Sequence, residues 1–122
     1  MFSPKSLAVL LACILGLVPL QQANAASVLV FGDSLSAAYG LRREDGWVYL
    51  LQQQLPGHDF INASISGETT GNGLVRLPSL LEQHKPDVLV IELGANDGLR
   101  GFPLSTVRDN LQAMIDLGRA AG

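Results

Sequence analysis

The sequence contains few of the residues that cross-link a fold, bind metal ions or attract nucleic acids. Its 122 residues include one cysteine, two histidines, and eight Lys and Arg against eleven Asp and Glu, for a formal net charge of −3. One cysteine cannot form a disulfide within the chain, and the lack of a basic cluster argues against nucleic acid as a partner. The sequence also lacks zinc-type His and Cys spacing and both glycine-rich phosphate-binding loops, Gly-x-x-x-x-Gly-Lys and Gly-x-Gly-x-x-Gly. We therefore expect neither a metal nor a cofactor.

The only long apolar run lies near the amino terminus, from Leu7 to Leu20. Lys5 precedes it and the small residues of Ala23-Asn24-Ala25 follow it, which is the layout of a cleavable secretory signal peptide. The run is short for a transmembrane helix, and a lipid-anchored reading of Cys13 fits poorly because more of the run follows that cysteine than precedes it. We expect residues 1–25 to be removed after Ala25, and residues 26–122 to form one periplasmic or secreted domain.

Three short apolar segments in the remaining chain predict strands, and each continues into a polar loop that contains glycine. Predicted helices separate the strands, and right-handed crossovers would bring the three loops to one edge of a parallel sheet. The sequence therefore predicts an α/β fold, a parallel sheet with helices on both faces. The predicted strands are about Ser27–Phe31, Phe60–Ile65 and Asp87–Leu93, and the predicted helices are about Trp47–Leu55, Gly73–His84 and a last helix from Leu104.

Apolar spacing predicts which side of each helix is buried. Trp47, Leu50 and Leu51 share one helical face, so we expect Trp47 in the core rather than in contact with a substrate. Pro78 should kink or split the second helix. The stripe of Val107, Leu111, Met114 and Ile115 predicts the core-facing side of the last helix.

The residues of the three loops suit acyl transfer, which needs a nucleophile and donors for the oxyanion of its intermediate. Ser34, just after the first strand, supplies a hydroxyl. Gly67 supplies an unhindered backbone N–H, Asn96 supplies a side-chain amide, and the N–H of Ser34 would be a third donor. A second reading is that Gly, Asp and Ser are simply residues that turns prefer.

The aspartates of these loops could instead suggest a phosphate-handling metal site, formed by Asp33, Asp87 and Asp97. Asp87 begins its strand, however, and therefore belongs to the opposite edge of the sheet. We interpret Asp33 and Asp97 as residues that organise their loops.

The segments Gly32-Asp33-Ser34-Leu35-Ser36, Gly67 and Gly94-Ala95-Asn96-Asp97 resemble the first three sequence blocks of the GDSL, or SGNH, hydrolases. The flanking residues are similar to the periplasmic branch of arylesterases, acyl-CoA thioesterases and lysophospholipases. This resemblance implies a three-layer flavodoxin-like fold, with Ser34 as nucleophile and Ser34, Gly67 and Asn96 as the oxyanion hole. It also implies a small acyl ester or thioester as substrate, with transient contact with lipid as a further interaction.

The fourth block of that family, an Asp-x-x-His that supplies the general base, does not occur in the sequence. His58 precedes the second strand and His84 precedes the third, so both belong to the amino-terminal edge of the sheet. A six-residue strand spans about 20 Å, which is far beyond the reach of a general base. We therefore expect a hydrolase domain that is incomplete after the third strand and its following helix. Its catalysis should be impaired because the Asp-x-x-His block is missing. The alternative is a non-catalytic lipid- or carbohydrate-binding remnant of the same fold.

Overall fold

The computed structural model describes residues 24–122, so the expected signal peptide lies outside the described residues except for its last two positions. Within residues 24–122, no helix is both long enough and apolar enough to cross a membrane. The chain alternates strands and helices as predicted, with one additional short helix in the third loop. The elements are β1 (Ser27–Gly32), a 3₁₀ turn (Arg43–Asp45), α1 (Trp47–Gln54), β2 (Asp59–Asn62), α2 (Thr70–His84), β3 (Val88–Glu92), α3 (Ala95–Leu99) and α4 (Leu104–Ala120).

The three strands form one sheet in the order β2-β1-β3, and both neighbouring pairs are parallel. Ser27 pairs with Asp59 at the start of β2, and Val28 pairs with Val88 at the start of β3, so the strands begin almost level. Their carboxyl ends consequently lie at a common edge. This confirms the predicted parallel sheet.

Side chains of β1 alternate between two apolar clusters, one on each face of the sheet, because successive residues of a strand point to opposite sides. Leu29 and Phe31 pack with Leu77 of α2 and Met114 of α4. Val28 and Val30 pack on the other face with Val48 of α1. Helices therefore cover both faces, which confirms the expected three-layer α/β arrangement. Of the predicted inward stripe of α4, Met114 is fully buried and Leu111 packs against the core cluster, whereas Ile115 is 39% exposed, so that residue was wrongly placed in the core.

The buried face of α1 differs from the prediction. Val48 is the buried residue of this helix, whereas Trp47 and Leu50 are 39% and 48% exposed. Val48 fits against Val28 and Val30, and this contact sets the rotation of the helix. Trp47 lies near the edge where the carboxyl ends of the strands meet, which we call the rim. Its Nε1 donates there to Ser36 Oγ at 3.3 Å. Helical spacing alone does not distinguish two overlapping apolar stripes.

Helix α2 also departs from the prediction, since it begins three residues earlier and continues unbroken through Pro78. The Thr69 hydroxyl accepts a hydrogen bond from the Asn72 N–H and so caps the new start. On either side of Pro78, Leu77 and Leu81 are buried in the core cluster. Their packing outweighs the local cost of a proline in the helix, about 3 kcal/mol.

We predict that Leu77→Ala lowers the free energy of unfolding by about 2–5 kcal/mol, because it leaves a cavity between β1 and α2. Val75→Ala, in the same helix at an 84% exposed position, should change it by less than about 0.5 kcal/mol. Urea unfolding followed by circular dichroism measures both values. Equal effects of the two substitutions would contradict the assignment of this helix face.

Candidate active site

The side chain of Asn96 joins all three loops at the carboxyl edge of the sheet. Its Nδ2 donates to the backbone carbonyl of Glu68 at 2.9 Å and lies 3.4 Å from Asp33 Oδ2. Asp33 directly precedes Ser34, and Glu68 directly follows Gly67. A single amide group therefore links the three loops that contain the residues predicted to form the site.

Ser34 is the half-buried second residue of the turn that follows β1, next to the fully buried Asp33. Asp33 Oδ1 accepts from the backbone N–H of Leu35 at 3.0 Å, so the aspartate closes a turn around the serine. The carbonyl of Ser34 accepts from the Tyr39 N–H at 3.1 Å. Within residues 24–122 the Ser34 hydroxyl has no hydrogen-bond partner, which leaves it open to the rim.

Gly67 lies in a tight turn that the Glu68 N–H closes by donating to the Ile65 carbonyl at 3.2 Å. Its φ of +80° is in the left-handed region that favours glycine. A Cβ at this position would meet no atom within 4 Å. Backbone conformation, rather than space, therefore requires glycine here.

Asp97 is almost fully buried and connects the third loop to the start of α2. Its two carboxylate oxygens accept from the Thr70 N–H at 2.9 Å and from the Thr70 hydroxyl at 2.6 Å. Asn110 of α4 donates to the same hydroxyl at 3.0 Å. These bonds anchor α3, which carries Asn96 and Asp97, against two longer helices.

An ion pair that the sequence analysis missed supports the second loop. Glu68 is buried, and its Oε2 accepts from Arg76 Nε at 2.9 Å. Arg76 also donates to the Ala63 carbonyl at 2.7 Å and lies over the Phe31 ring, 4.5 Å from its centroid. The guanidinium thus holds the loop on both sides of Gly67. The eight-residue separation of Glu68 and Arg76 carries no local pattern that would reveal the pair.

A second group that the sequence analysis missed surrounds Ser36. Glu92 Oε1 accepts from Ser36 Oγ at 2.8 Å and from the Asp33 N–H at 3.3 Å. Asn62 Nδ2 donates to the Ser36 carbonyl at 2.7 Å. Burial raises the pKa of the Glu92 carboxyl, and the nearby Asp33 carboxylate raises it further, against the lowering effect of the two hydrogen bonds that Glu92 accepts. From the sequence, Glu92 is only one residue within the predicted strand Asp87–Leu93.

Neither histidine lies at this rim. His58 Nδ1 accepts from the backbone N–H of Ala26, just before β1, at 3.0 Å, which places it at the amino-terminal edge. His84 is the last residue of α2, four positions before β3 begins. A general base for Ser34 therefore does not come from either of them. Asp87 also lies at this far edge, where it accepts from the Ser27 N–H at 2.8 Å, so it does not join Asp33 and Asp97.

Residues 30–122 match the GDSL-like lipase/acylhydrolase family. The chain is 52% identical over 120 residues to Esterase TesA of Pseudomonas aeruginosa, covering 94% of this chain and 60% of that protein. It is 56% identical over 99 residues to an arylesterase of Vibrio mimicus, covering 78% and 50%. It is 42% identical over 106 residues to thioesterase 1/protease 1/lysophospholipase L1 of Escherichia coli K12, covering 86% and 51%. The chain thus spans about half of the length of the curated relatives it matches.

The fold is similar to that of the psychrotrophic esterase EstA from a Pseudoalteromonas species, solved in a form inhibited by monoethylphosphonate. The TM-score is 0.76 at 53% sequence identity, over 79% of this chain and 55% of that one. The match agrees with the three-layer arrangement described above.

We predict that Glu92→Gln stabilises the protein above pH 4.5, the ordinary pKa of a glutamate side chain. Because folding raises the pKa of Glu92, its favourable contribution is complete below that value and is lost as the pH rises through the folded pKa. Glutamine keeps an acceptor for Ser36 and Asp33 but carries no charge.

The free energies of unfolding of wild type and Glu92→Gln, measured from pH 3.5 to 8, should diverge upward from pH 4.5. Glu82→Gln, at an exposed position of α2, serves as the control and should show no such divergence. A wild type that gains stability over Glu92→Gln as the pH rises would contradict the prediction.

Proposed function

The chain belongs to the GDSL-like lipase/acylhydrolase family, and from this premise we propose that the protein is a serine hydrolase of carboxylic esters or thioesters. The observation that carries the proposal is the Asn96 amide, which contacts residues adjacent to Ser34 and to Gly67. The named activities of the relatives, esterase, arylesterase and thioesterase/lysophospholipase, agree with this reaction class.

In the proposed mechanism, Ser34 Oγ attacks the acyl carbonyl carbon and its proton passes to a general base. The carbonyl oxygen then becomes an oxyanion, which needs donors aimed at it in advance. The backbone N–H groups of Ser34 and Gly67 donate to no other group within residues 24–122, which supports their assignment as donors. The oxyanion intermediate collapses, the C–O or C–S bond to the leaving group breaks, and the base returns the proton to the departing alcohol or thiol. Water then gives a proton to the same base and attacks the acyl-enzyme, and the proton returns to Ser34 Oγ as the carboxylic acid is released.

Asn96 supplies the third donor in this proposal. One N–H of its amide is held by the Glu68 carbonyl at 2.9 Å, which fixes the orientation of the group. The other points toward Asp33 Oδ2 at 3.4 Å, a long and therefore weak bond. That second N–H is the one we assign to the oxyanion.

The general base is the part that the described residues do not supply, since both histidines lie at the opposite edge. By resemblance to the family, we assign it to an Asp-x-x-His of the kind found in the fourth block of these hydrolases. The far position of His58 and His84 also favours a second candidate, a lipid- or carbohydrate-binding domain without catalysis. Activity of a chain completed with such a block separates the two candidates.

We also propose that the mature protein begins at Ala26 and acts in the periplasm or after secretion. The support is the sequence of the first 25 residues, with Lys5, the apolar run from Leu7 to Leu20 and the small residues at 23–25. A small acyl ester or thioester is the proposed substrate, and transient contact with lipid is proposed as a further interaction.

We predict that Ser34→Ala lowers hydrolysis of p-nitrophenyl butyrate by about 10³-fold or more, because it removes the nucleophile. The assay uses the chain joined to the carboxyl-terminal segment of Esterase TesA that follows the matched region. Ser105→Ala, at an exposed serine of α4, should leave the turnover unchanged. Equal turnover of Ser34→Ala and wild type would refute the assignment, and a completed chain that binds acyl ligands without hydrolysing them would support the binding domain.

We predict that Asn96→Ala in the same completed chain lowers kcat by about 10²–10³-fold, the usual effect of removing one oxyanion donor. KM should change much less, because the donor acts mainly on charge that develops in the transition state. Gln112→Ala removes an exposed amide from α4 and serves as the control. A loss confined to KM would show that Asn96 binds substrate without stabilising the oxyanion.

A further inference from the structure

The side chain of Glu92, at the end of β3, contacts the turn that carries Ser34 at two points. Its Oε1 accepts from the Asp33 N–H at 3.3 Å and from Ser36 Oγ at 2.8 Å. These donors lie on either side of Ser34 in the sequence. A single carboxylate oxygen therefore holds both ends of the segment that includes the serine.

The contact has a fixed direction of proton donation. Trp47 Nε1 can only donate, and it donates to Ser36 Oγ at 3.3 Å. The proton of the Ser36 hydroxyl is thereby directed to Glu92, which accepts it. The Ser36 carbonyl accepts from Asn62 Nδ2 at 2.7 Å. Ser36 is thus held from α1, β2 and β3 at once, and it is almost fully buried.

The backbone of β1 leaves room for this carboxylate because residue 32 is glycine. A Cβ at Gly32 would lie 2.7 Å from Glu92 Oε1 and 2.8 Å from Ser36 Oγ, closer than real Cβ atoms approach such neighbours. Any side chain there would push apart the two groups that form the 2.8 Å bond. The hydrogen bond between Ser36 and Glu92 therefore requires glycine at position 32.

The negative charge of Glu92 does not make the folded protein more stable. Burial and the Asp33 carboxylate both act against an ionised Glu92. Glu92 is half-buried, and no cation within residues 24–122 pairs with it, so its charge costs free energy that the two hydrogen bonds only partly offset. What the carboxylate does supply is a strong acceptor with a defined direction for two donors of the Ser34 turn.

We propose that Glu92 is a positioning residue, which holds the Asp33–Ser36 turn so that the Ser34 hydroxyl stays at the rim beside Asn96 and Gly67. This inference rests on the proposed function, because it assigns Glu92 to the alignment of the nucleophile. Glu92 touches no substrate in this arrangement and acts through Ser36 and the Asp33 amide.

The first test is amide hydrogen exchange of the chain itself, which needs no catalysis. The turn contains hydrogen-bonded amides at Leu35, Ala37 and Tyr39. In Glu92→Leu we expect these amides to exchange about tenfold faster or more, while the β1 amides keep the wild-type rate. Glu92→Gln keeps the acceptor and should stay within about threefold of wild type. Ser36→Ala removes the same bond from the other side and should reproduce the effect if Glu92→Leu does not fold.

Asp87→Leu is the matched control, since Asp87 accepts from the Ser27 N–H at the opposite end of the same strand pair. It removes a carboxylate-to-amide bond of the same kind but should leave the turn amides at the wild-type rate. If Asp87→Leu accelerates them as much as Glu92→Leu does, the effect is general destabilisation and the inference is wrong. Turn amides at the wild-type rate in both Glu92→Leu and Ser36→Ala would also overturn it.

The second test measures kcat and KM in the completed chain used for Ser34→Ala. We expect Glu92→Leu to lower kcat about 100-fold with little change in KM, as misplacement of a reacting group by about 1 Å does. Glu92→Gln should restore kcat to within a few-fold. An unchanged kcat in Glu92→Leu, with Ser34→Ala inactive, overturns the positioning role alone. Full activity of Ser34→Ala instead overturns the proposed function, and amide exchange then still decides whether Glu92 holds the turn.

Discussion

Parallel pairing of β1 with a strand on each side is the constraint on which the rest of this structure depends. Parallel strands that begin almost level must also end at a common edge, so the loops that follow them are brought together whatever their sequences. The pairing is possible because β1 is apolar on both faces and is covered by α1 on one side and by α2 and α4 on the other. Burial of β1 and its pairing with two strands therefore place the three loops at the rim independently of the polar residues found there.

Side-chain hydrogen bonds then convert proximity into a defined arrangement. Asn96 connects the first two loops, Asp97 ties the third loop to α2, and Arg76 holds the second loop through Glu68. Within residues 24–122 every buried side-chain nitrogen and oxygen has a hydrogen-bond partner. This is the condition under which a polar cluster in a folded domain becomes rigid, because an unsatisfied buried group would favour rearrangement.

The rim combines this rigidity with an accumulation of negative charge. Asp33, Glu68 and Asp97 are all buried there, and Glu92 lies close beside them. Among residues 24–122, only Glu68 of these four is paired with a cation. Hydrogen bonds from backbone amides, hydroxyls and Asn96 provide most of the compensation. Such a site is less stable than an apolar one of the same volume would be, as is common where a fold positions chemically active groups.

The sequence by itself determined the three strands of the sheet, their parallel direction and the three loops that contain Ser34, Gly67 and Asn96. Those features follow from local patterns, since a short apolar run ending at glycine and polar residues is readable without knowing its neighbours. Only the tertiary structure decided that Val48 rather than Trp47 faces the core, and that α2 continues through Pro78. It alone revealed the bonds from Glu92 to Ser36 and from Arg76 to Glu68. These outcomes depend on which residues from distant parts of the chain meet, and a contact between residues 56 positions apart, as for Ser36 and Glu92, leaves no periodic signal in the sequence.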